Sequence, residues 1–126
     1  MLITDYVWPD TIPERKILDP LDVEIIEADS GDEAHLVELA QDVDGILTCF
    51  AMTTEKVIQA SPKLKVVSRY GIGVDNIAVD TATELGVPVA YVPDYCVGEV
   101  ADHAMSLLLA LVRGINRYDP HTKEGG

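Results

Sequence analysis

The segment with the clearest chemical potential is Arg69-Tyr-Gly-Ile-Gly-Val-Asp-Asn76, which follows an apolar run from Leu64 to Ser68. Two glycines one residue apart, directly after a strand-like run, let the backbone turn sharply and leave N–H groups uncovered by side chains. Such N–H groups bind a carboxylate or a phosphate without needing a cationic side chain. The segment therefore predicts a small anion site, although the same glycines also suit a tight strand-to-helix turn that binds nothing.

A second candidate is the loop Thr48-Cys-Phe-Ala-Met52, which follows another strand-like run. Open α/β sheets bind ligands beyond the carboxyl ends of their strands, so this loop is expected at the same edge as the glycine turn. The adjacent pair Asp102-His103 does not predict a dyad, because neighbouring residues on a helix diverge by about 100 degrees. No residues have metal-ligand spacing, so no metal site is predicted.

The elements that must position these segments alternate along the chain. Five short apolar runs are separated by helical patterns, which predicts a doubly wound parallel sheet of about five strands with flanking helices. The runs are Leu2 to Val7, Val23 to Ile26, Gly45 to Leu47, Val66 to Val67 and Val87 to Val92. The clearest helices are Asp32 to Val43, Lys56 to Ala60 and Val79 to Leu85. Ser30 or Asp32 suits the first of them as an N-terminal cap, and Gly86 suits the end of the last.

The final element is different, because no proline interrupts the helical pattern from Val97 to about Arg117. Its segment from Met105 to Val112 is apolar on nearly every side, and a small sheet can cover only one side of such a helix. The helix is therefore expected to meet a second domain or a second subunit. The tail from Asp119 to Gly126 has no periodicity, so we expect a loop that is cut short within a longer protein.

Charge and composition exclude several classes of partner. The 126 residues include 22 acidic and 9 basic side chains, for a formal net charge of -13, which disfavours nucleic acid and anionic membranes. The longest apolar block, Leu107 to Val112, is too short to span a bilayer, and the N-terminus has no secretion signal. Cys49 and Cys96 are too few for a disulfide framework or a zinc site. Free thiols favour a cytoplasmic protein.

Several stretches, in order, resemble the D-isomer-specific 2-hydroxyacid dehydrogenase family, which includes phosphoglycerate, glycerate and formate dehydrogenases. They are Val67-Ser-Arg-Tyr-Gly-Ile-Gly-Val-Asp-Asn-Ile77, Leu85-Gly-Val-Pro-Val89 and Glu99-Val-Ala-Asp-His-Ala-Met105. Cys96-Val97, with Glu99 and Ala101-Asp102, is also similar to the branch that contains the C-terminal-binding-protein corepressors.

The resemblance implies a two-domain enzyme that uses NAD or NADP to act on a small 2-hydroxy or 2-oxo acid. Residues 1–96 would form a flavodoxin-like substrate domain, and residues 97–118 a long crossover helix that leads to a NAD-binding domain. Residues 119–126 would be a truncated tail, and a homodimer would form through Val97–Val112. The family's nucleotide fingerprint and its catalytic Arg, Glu and His lie further along, so no catalytic residue is expected here and the chain alone is expected to be inactive.

The resemblance also assigns binding residues. The substrate would be lined by Thr48, Cys49, Phe50, Tyr70, Gly71, Ile72 and Gly73, and the cofactor would be approached by Ile72, Cys96, Val97 and Val100. Phosphoglycerate enzymes can carry arginine in the loop where this chain has Thr48 and Phe50. The loop therefore favours a small or apolar substrate without a phosphate.

The sequence leaves open two other functions and the chemical state of one cysteine. A NAD-gated binding protein like the corepressors would share the resemblance without the same chemistry. A phosphoacceptor receiver domain has a similar length, but Asp5 and Asp10 are separated by an apolar stretch and the third strand ends in Thr48-Cys49. Cys96, at the start of the long helix, is either a buried structural thiol or one whose pKa is lowered by the helix terminus.

Overall fold

The computed structural model describes residues 1–126 and contains five strands and six α-helices. The strands are β1 (Leu2–Ile3), β2 (Ile26–Glu27), β3 (Gly45–Thr48), β4 (Val66–Arg69) and β5 (Val89–Ala90). The helices are α1 (Ile12–Leu18), α2 (Glu33–Ala40), α3 (Glu55–Ala60), α4 (Val79–Glu84), α5 (Val97–Val112) and α6 (Ile115–Lys123). A short 3-10 turn, Asp19–Leu21, follows α1.

The strands form one parallel sheet in the order β2-β1-β3-β4-β5. This order is that of flavodoxin-like folds, so the predicted fold class is confirmed. Leu2 of β1 pairs with Ile26 on one side and Ile46 on the other, which makes β1 an inner strand. Thr48, the last residue of β3, pairs with Arg69, the last residue of β4. The two predicted binding segments therefore leave the sheet side by side.

The core forms where the apolar strand residues meet α2, α3 and α4. Side chains from three inner strands and two helices are completely buried, among them Leu2, Leu36, Ile46, Val57, Ile58 and Val67. The inner strands β1 and β3 are buried on both faces, as in parallel sheets covered by helices, and this explains why their apolar runs are continuous rather than alternating. The core thus fixes the ends of β1, β3 and β4 relative to one another.

The helix ends follow the chemistry expected from the sequence. Asp32 begins α2, and its Oδ2 accepts the N–H of Ala34 at 3.2 Å. Gly86 follows α4 with φ of 70°, a left-handed conformation that glycine adopts without steric cost. The N–H of Gly86 donates to the carbonyl of Thr83, and that of Val87 to Ala82. Both predicted helix boundaries are confirmed.

The C-terminal prediction is corrected. The helix expected from Val97 to about Arg117 ends at Val112, because Gly114 adopts φ of 62° and turns the chain. Its N–H donates to the carbonyl of Leu111, which closes the last turn. The tail expected as a loop is instead helical, since α6 continues to Lys123 with Pro120 inside it. Gly114, two residues after the last apolar residue of the helix, Val112, was the available signal for this break.

Residues Met1–Pro93 and Asp94–Gly126 form two compact units. The first contains the sheet with α1 to α4, and the second contains α5 and α6. None of the residues of α5 is buried. The structure contains no helix with the length and continuous apolarity required to cross a bilayer.

Candidate functional site

Three segments meet at the carboxyl edge of the sheet. Asp5 follows β1, the loop Thr48-Cys-Phe-Ala-Met52 follows β3, and the turn from Arg69 to Asn76 follows β4. Parallel strands present their carboxyl ends at one edge, where open α/β sheets bind ligands. The sequence predicted two of these three segments as a site, and the contribution of Asp5 is new.

Asp5 holds the loop after β3 through its backbone. Its Oδ1 accepts the N–H of Cys49 at 2.9 Å, and its Oδ2 accepts the N–H of Phe50 at 2.7 Å. The hydroxyl of Thr4 also donates to Oδ1 at 2.9 Å. Partial burial raises the pKa of Asp5, but the hydrogen bonds to the Cys49 and Phe50 amides outweigh it and the net pKa is lowered. The carboxylate is therefore ionised while it holds the loop.

The other side of the same loop is held through its carbonyls. Nε of Arg69 donates to the carbonyl of Cys49 at 3.2 Å, and Nδ2 of Asn76 donates to the carbonyl of Ala51 at 2.9 Å. The N–H of Thr53 donates in turn to the carbonyl of Asn76 at 2.8 Å. The loop after β3 and the turn after β4 are thus joined by side-chain and main-chain bonds into one unit.

The sequence suggested that the glycines allow a sharp turn of the backbone, but the structure gives a different reason for them. Neither Gly71 nor Gly73 has a positive φ, so the turn does not need glycine for its backbone angles. A Cβ on Gly71 would lie 2.7 Å from Nη1 of Arg69, and a Cβ on Gly73 would lie 3.6 Å from the same atom. Gly71 therefore lets the Arg69 guanidinium lie against the main chain, whereas the atom closest to a Cβ on Gly73 is Oδ2 of Asp75, at 3.1 Å.

Hydrogen-bond donors accumulate where that guanidinium meets the turn. The N–H groups of Gly71, Ile72 and Gly73 donate to no acceptor in the chain, and neither Nη atom of Arg69 does. The N–H of Tyr70 is used, because it donates to the carbonyl of Thr48 at 3.0 Å. Unpaired donors together with a positive charge are what an anion requires, although Oδ2 of Asp75 also lies beside the turn, 3.1 Å from a Cβ built on Gly73.

The predicted substrate residues divide into two groups. Thr48 and Cys49 are buried, and the amide of Cys49 is occupied by Asp5. Burial, and then the charge of Asp5, raises the pKa of the Cys49 thiol, so it does not behave as a reactive nucleophile. Phe50 is 64% exposed and Ile72 is 38% exposed at the edge of the sheet. These two side chains, with the amides of the glycine turn, are the groups that can reach a ligand.

Tyr70 contacts the segment that connects β1 to α1, and α1 itself. Its ring meets that of Trp8 edge to face, with centroids 4.5 Å apart. Its hydroxyl is buried without a hydrogen bond, and so is Oε2 of Glu14 on α1. Burial, and then the nearby Glu14 carboxylate, raises the pKa of the Tyr70 phenol far above its ordinary value. Tyr70 thus supports the turn rather than presenting a polar group to a ligand.

The segment after β1 is anchored to the sheet by one carboxylate. Glu27 of β2 accepts hydrogen bonds from the hydroxyls of Tyr6 and Thr11, at 2.8 Å and 2.7 Å, and from the guanidinium of Arg15. These contacts, rather than an apolar helix face, explain why a segment with three prolines is ordered, since α1 has no buried residue.

The predicted cofactor residues lie in both compact units. Ile72 belongs to the first unit, and Cys96 precedes α5 in the second, where its carbonyl accepts the N–H of Val100 at 3.0 Å. The side chains of Val97 and Val100 are exposed, and apolar side chains of this kind suit the face of an aromatic ring. Asn76 stands where a nucleotide fingerprint would have its third glycine, and its side chain is bonded to the loop after β3.

Replacement of Asp5 by asparagine is expected to give a pH-dependent loss of stability. An amide offers one acceptor oxygen, so its NH₂ would face one of the two N–H groups that Asp5 accepts, at a cost of about 1–3 kcal/mol. The lowered pKa of Asp5 means that its stabilisation is present above 3.8 and is lost as the pH falls through the lower pKa of the folded state. Urea unfolding should therefore separate the two proteins at pH 7 and show a smaller difference near pH 3. An equal difference at both pH values would contradict the role of the charge.

Comparison with known proteins identifies the family of this chain. Residues 2–124 match the model for "D-isomer specific 2-hydroxyacid dehydrogenase, catalytic domain". The D-3-phosphoglycerate dehydrogenase of Mycobacterium tuberculosis is 36% identical over 125 residues, which cover 98% of this chain and 23% of that protein. The glyoxylate reductase of Pyrococcus furiosus is 36% identical over 91 residues, which cover 71% of this chain and 27% of that protein. The chain thus spans about a quarter of the length of these curated relatives.

Solved structures agree. The NADPH-dependent glyoxylate/hydroxypyruvate reductase of Sinorhizobium meliloti, in complex with citrate, superimposes with a TM-score of 0.76 at 26% identity. The match covers 98% of this chain and 38% of that one. The five-stranded order, the glycine turn after β4 and the match over residues 2–124 lead to one conclusion. This chain belongs to the D-isomer specific 2-hydroxyacid dehydrogenase family.

Proposed function

We propose that this chain is the substrate-binding domain of an NAD- or NADP-dependent dehydrogenase that acts on a small 2-hydroxy or 2-oxo acid. Arg69 and the turn from Gly71 to Gly73 bind the carboxylate of that acid. The observation that carries the proposal is the convergence of unpaired donors at this turn, in a chain that belongs to a family of 2-hydroxyacid dehydrogenases.

The chemistry of the turn fits a carboxylate. Nη1 of Arg69 lies against Gly71, so a carboxylate there would meet a fixed cation next to main-chain N–H groups. Hydrogen bonds between ionised partners are about twice as strong as those between neutral groups. The guanidinium is also restrained, because its Nε is bonded to the carbonyl of Cys49. The turn therefore fixes the orientation of the acid as well as binding it.

The surroundings favour a substrate without a phosphate. The loop after β3 offers Phe50 and Met52, which are exposed and apolar, and the nearest ionised group beneath it is Asp5. Two other cations of this unit are already paired, Arg15 with Glu27 and Lys56 with Glu33. A phosphate dianion would find no free cation beside Arg69. The named relatives include both phosphoglycerate dehydrogenases and glyoxylate reductases, and this loop fits the smaller, unphosphorylated acid.

The cofactor supplies the hydride, and residues of this chain contribute part of its surroundings. We place Ile72, Cys96, Val97 and Val100 near the nicotinamide, because exposed apolar side chains suit that ring. We assign the nucleotide-binding turn and the acid–base residues to polypeptide beyond residues 1–126. On this proposal residues 1–96 are the substrate domain, residues 97–118 lead to the nucleotide domain, and residues 119–126 continue into it. We also propose that the protein is cytoplasmic, because NAD is available there.

We further propose that the intact enzyme is a homodimer joined through Val97–Val112. Most of the large apolar side chains of α5 are more than half exposed, with Leu111 at 72% and Val112 at 71%. Contiguous apolar surface of this kind marks an interface rather than a solvated helix. Two copies that pair by a twofold axis would each cover the same face of the other.

Glyoxylate titration of the ¹⁵N-labelled chain tests the substrate proposal. The amide signals of Gly71, Ile72 and Gly73 should shift and saturate. Arg69→Met should raise the dissociation constant tenfold or more, because a charged hydrogen bond is worth about 1.5–3 kcal/mol. Lys65→Met removes an exposed cation that pairs with Asp44 at the opposite edge of the sheet, and it serves as the control with no expected effect. 3-Phosphohydroxypyruvate should bind more weakly than glyoxylate. The proposal fails if glyoxylate leaves all three amides unmoved or binds the Arg69 variant equally well.

A further inference from the structure

Asp5 is the ionised group of this edge that the proposed substrate chemistry does not use. It lies at the end of β1, 44 and 45 residues before the two amides that it binds. Two successive N–H groups at the end of a strand form a concave anion site in many proteins. Here the chain fills that site with its own carboxylate, and the two oxygens each take one N–H.

Asp5 acts on a part of the loop that no other side chain holds. Arg69 and Asn76 bond to carbonyls, those of Cys49 and Ala51. Thr48 donates its hydroxyl to the carbonyl of Ala51 at 3.1 Å, so it also acts on a carbonyl. Only Asp5 accepts from the amides of Cys49 and Phe50. The peptide between these two residues is therefore fixed on its N–H side by Asp5 alone.

We propose that Asp5 is a positioning residue, which fixes the Cys49–Phe50 peptide so that the exposed Phe50 side chain has a defined place beside the glycine turn. Its effect on substrate affinity rests on the proposed function, whereas its effect on the loop does not. Removal of the charge frees the peptide, while the carbonyl contacts from Arg69 and Asn76 remain. The disturbance is therefore local rather than a loss of the fold.

Amide hydrogen exchange on the ¹⁵N-labelled chain tests the effect on the loop. Asp5→Asn should raise the exchange rates of the Cys49 and Phe50 amides tenfold or more. The amide of Tyr70, which donates to the carbonyl of Thr48 in the neighbouring ladder, should exchange as before. Asp44→Asn is the matched control, because it makes the same change from carboxylate to amide at a residue that precedes β3, at the opposite edge of the sheet, and that pairs with Lys65.

Glyoxylate affinity then separates positioning from general stability. Asp5→Asn should raise the dissociation constant about tenfold at a temperature where both proteins are folded, and Asp44→Asn should leave it unchanged. Unchanged exchange at Cys49 and Phe50, or faster exchange spread over the whole sheet, would overturn the inference. So would faster local exchange with unaltered glyoxylate affinity. Failure of the unsubstituted chain to bind glyoxylate would instead refute the proposed function, and the exchange result would still decide whether Asp5 holds the loop.

Discussion

Gly71→Ala should weaken glyoxylate binding as much as Arg69→Met does, while the sheet remains folded. The added Cβ would lie 2.7 Å from Nη1 of Arg69, closer than a carbon can approach it, and 3.2 Å from Cζ, which is a tight contact. The guanidinium has to move, because the main chain at Gly71 is fixed by the bond from the N–H of Val92 to its carbonyl. Movement breaks the bond from Nε to Cys49 and takes the cation away from the unpaired amides.

The size of this effect follows from the number of interactions lost. The substrate would lose a charge-assisted hydrogen bond worth about 1.5–3 kcal/mol, and the loop would lose a neutral acceptor bond worth about 1 kcal/mol. We therefore expect the dissociation constant to rise by about ten- to a hundredfold in an NMR titration. Urea unfolding should show a change of only about 1 kcal/mol, because the core is untouched.

Gly98→Ala is the matched control for this substitution. No atom lies within 4 Å of a Cβ at Gly98, which is on α5 in the other compact unit. The same methyl group should therefore leave glyoxylate binding unchanged and slightly favour the helix. If Gly71→Ala binds glyoxylate as the unsubstituted chain does, the guanidinium is not the group that requires glycine at this position.

Leu108→Glu should convert a self-associated chain into a monomer. Leu108 lies at the middle of the apolar face of α5 and is 51% exposed, so a charge there costs little in the isolated helix. In a twofold interface the substitution counts twice, and loss of a buried leucine costs roughly 1.5–3 kcal/mol on each side. Association should weaken by on the order of a hundredfold to ten-thousandfold, as measured by sedimentation velocity over a range of concentrations.

Leu85→Glu provides the control, because Leu85 is also a leucine about half exposed, at 54%, but follows α4 in the first compact unit. It makes the same change of charge and volume away from α5. Equal weakening by both substitutions would show that net charge, already -13, controls association. A chain that is monomeric without any substitution, even at high concentration, would contradict the proposed interface.

The fold was accessible from the sequence because local patterns and tertiary packing agree. Continuous apolar runs such as Gly45 to Leu47 are buried on both faces, and Asp32 and Gly86 end their helices by short-range chemistry. Strand lengths were overestimated, since β1 ends at Ile3 and β5 covers only Val89–Ala90. Strand ends depend on pairing with neighbours, which a single run of residues does not show.

The site was only partly accessible. The glycine turn was located correctly, but Gly71 serves a close approach by Arg69 rather than a left-handed backbone. Asp5 was considered only as a phosphoacceptor, a role that its bonds to Cys49 and Phe50 leave it unable to fill. A carboxylate that accepts from a backbone more than forty residues away leaves no periodic or spacing signal. The position of Asp5 just after the first strand was the one available clue.

The contact between Trp8 and Tyr70 has a practical consequence. Trp8 is the only tryptophan in the chain, and the residue that its ring touches immediately precedes Gly71. Tryptophan emission, excited at wavelengths that tyrosine does not absorb, therefore arises next to the proposed anion-binding turn. Rapid-mixing fluorimetry can follow events at that turn without an attached dye.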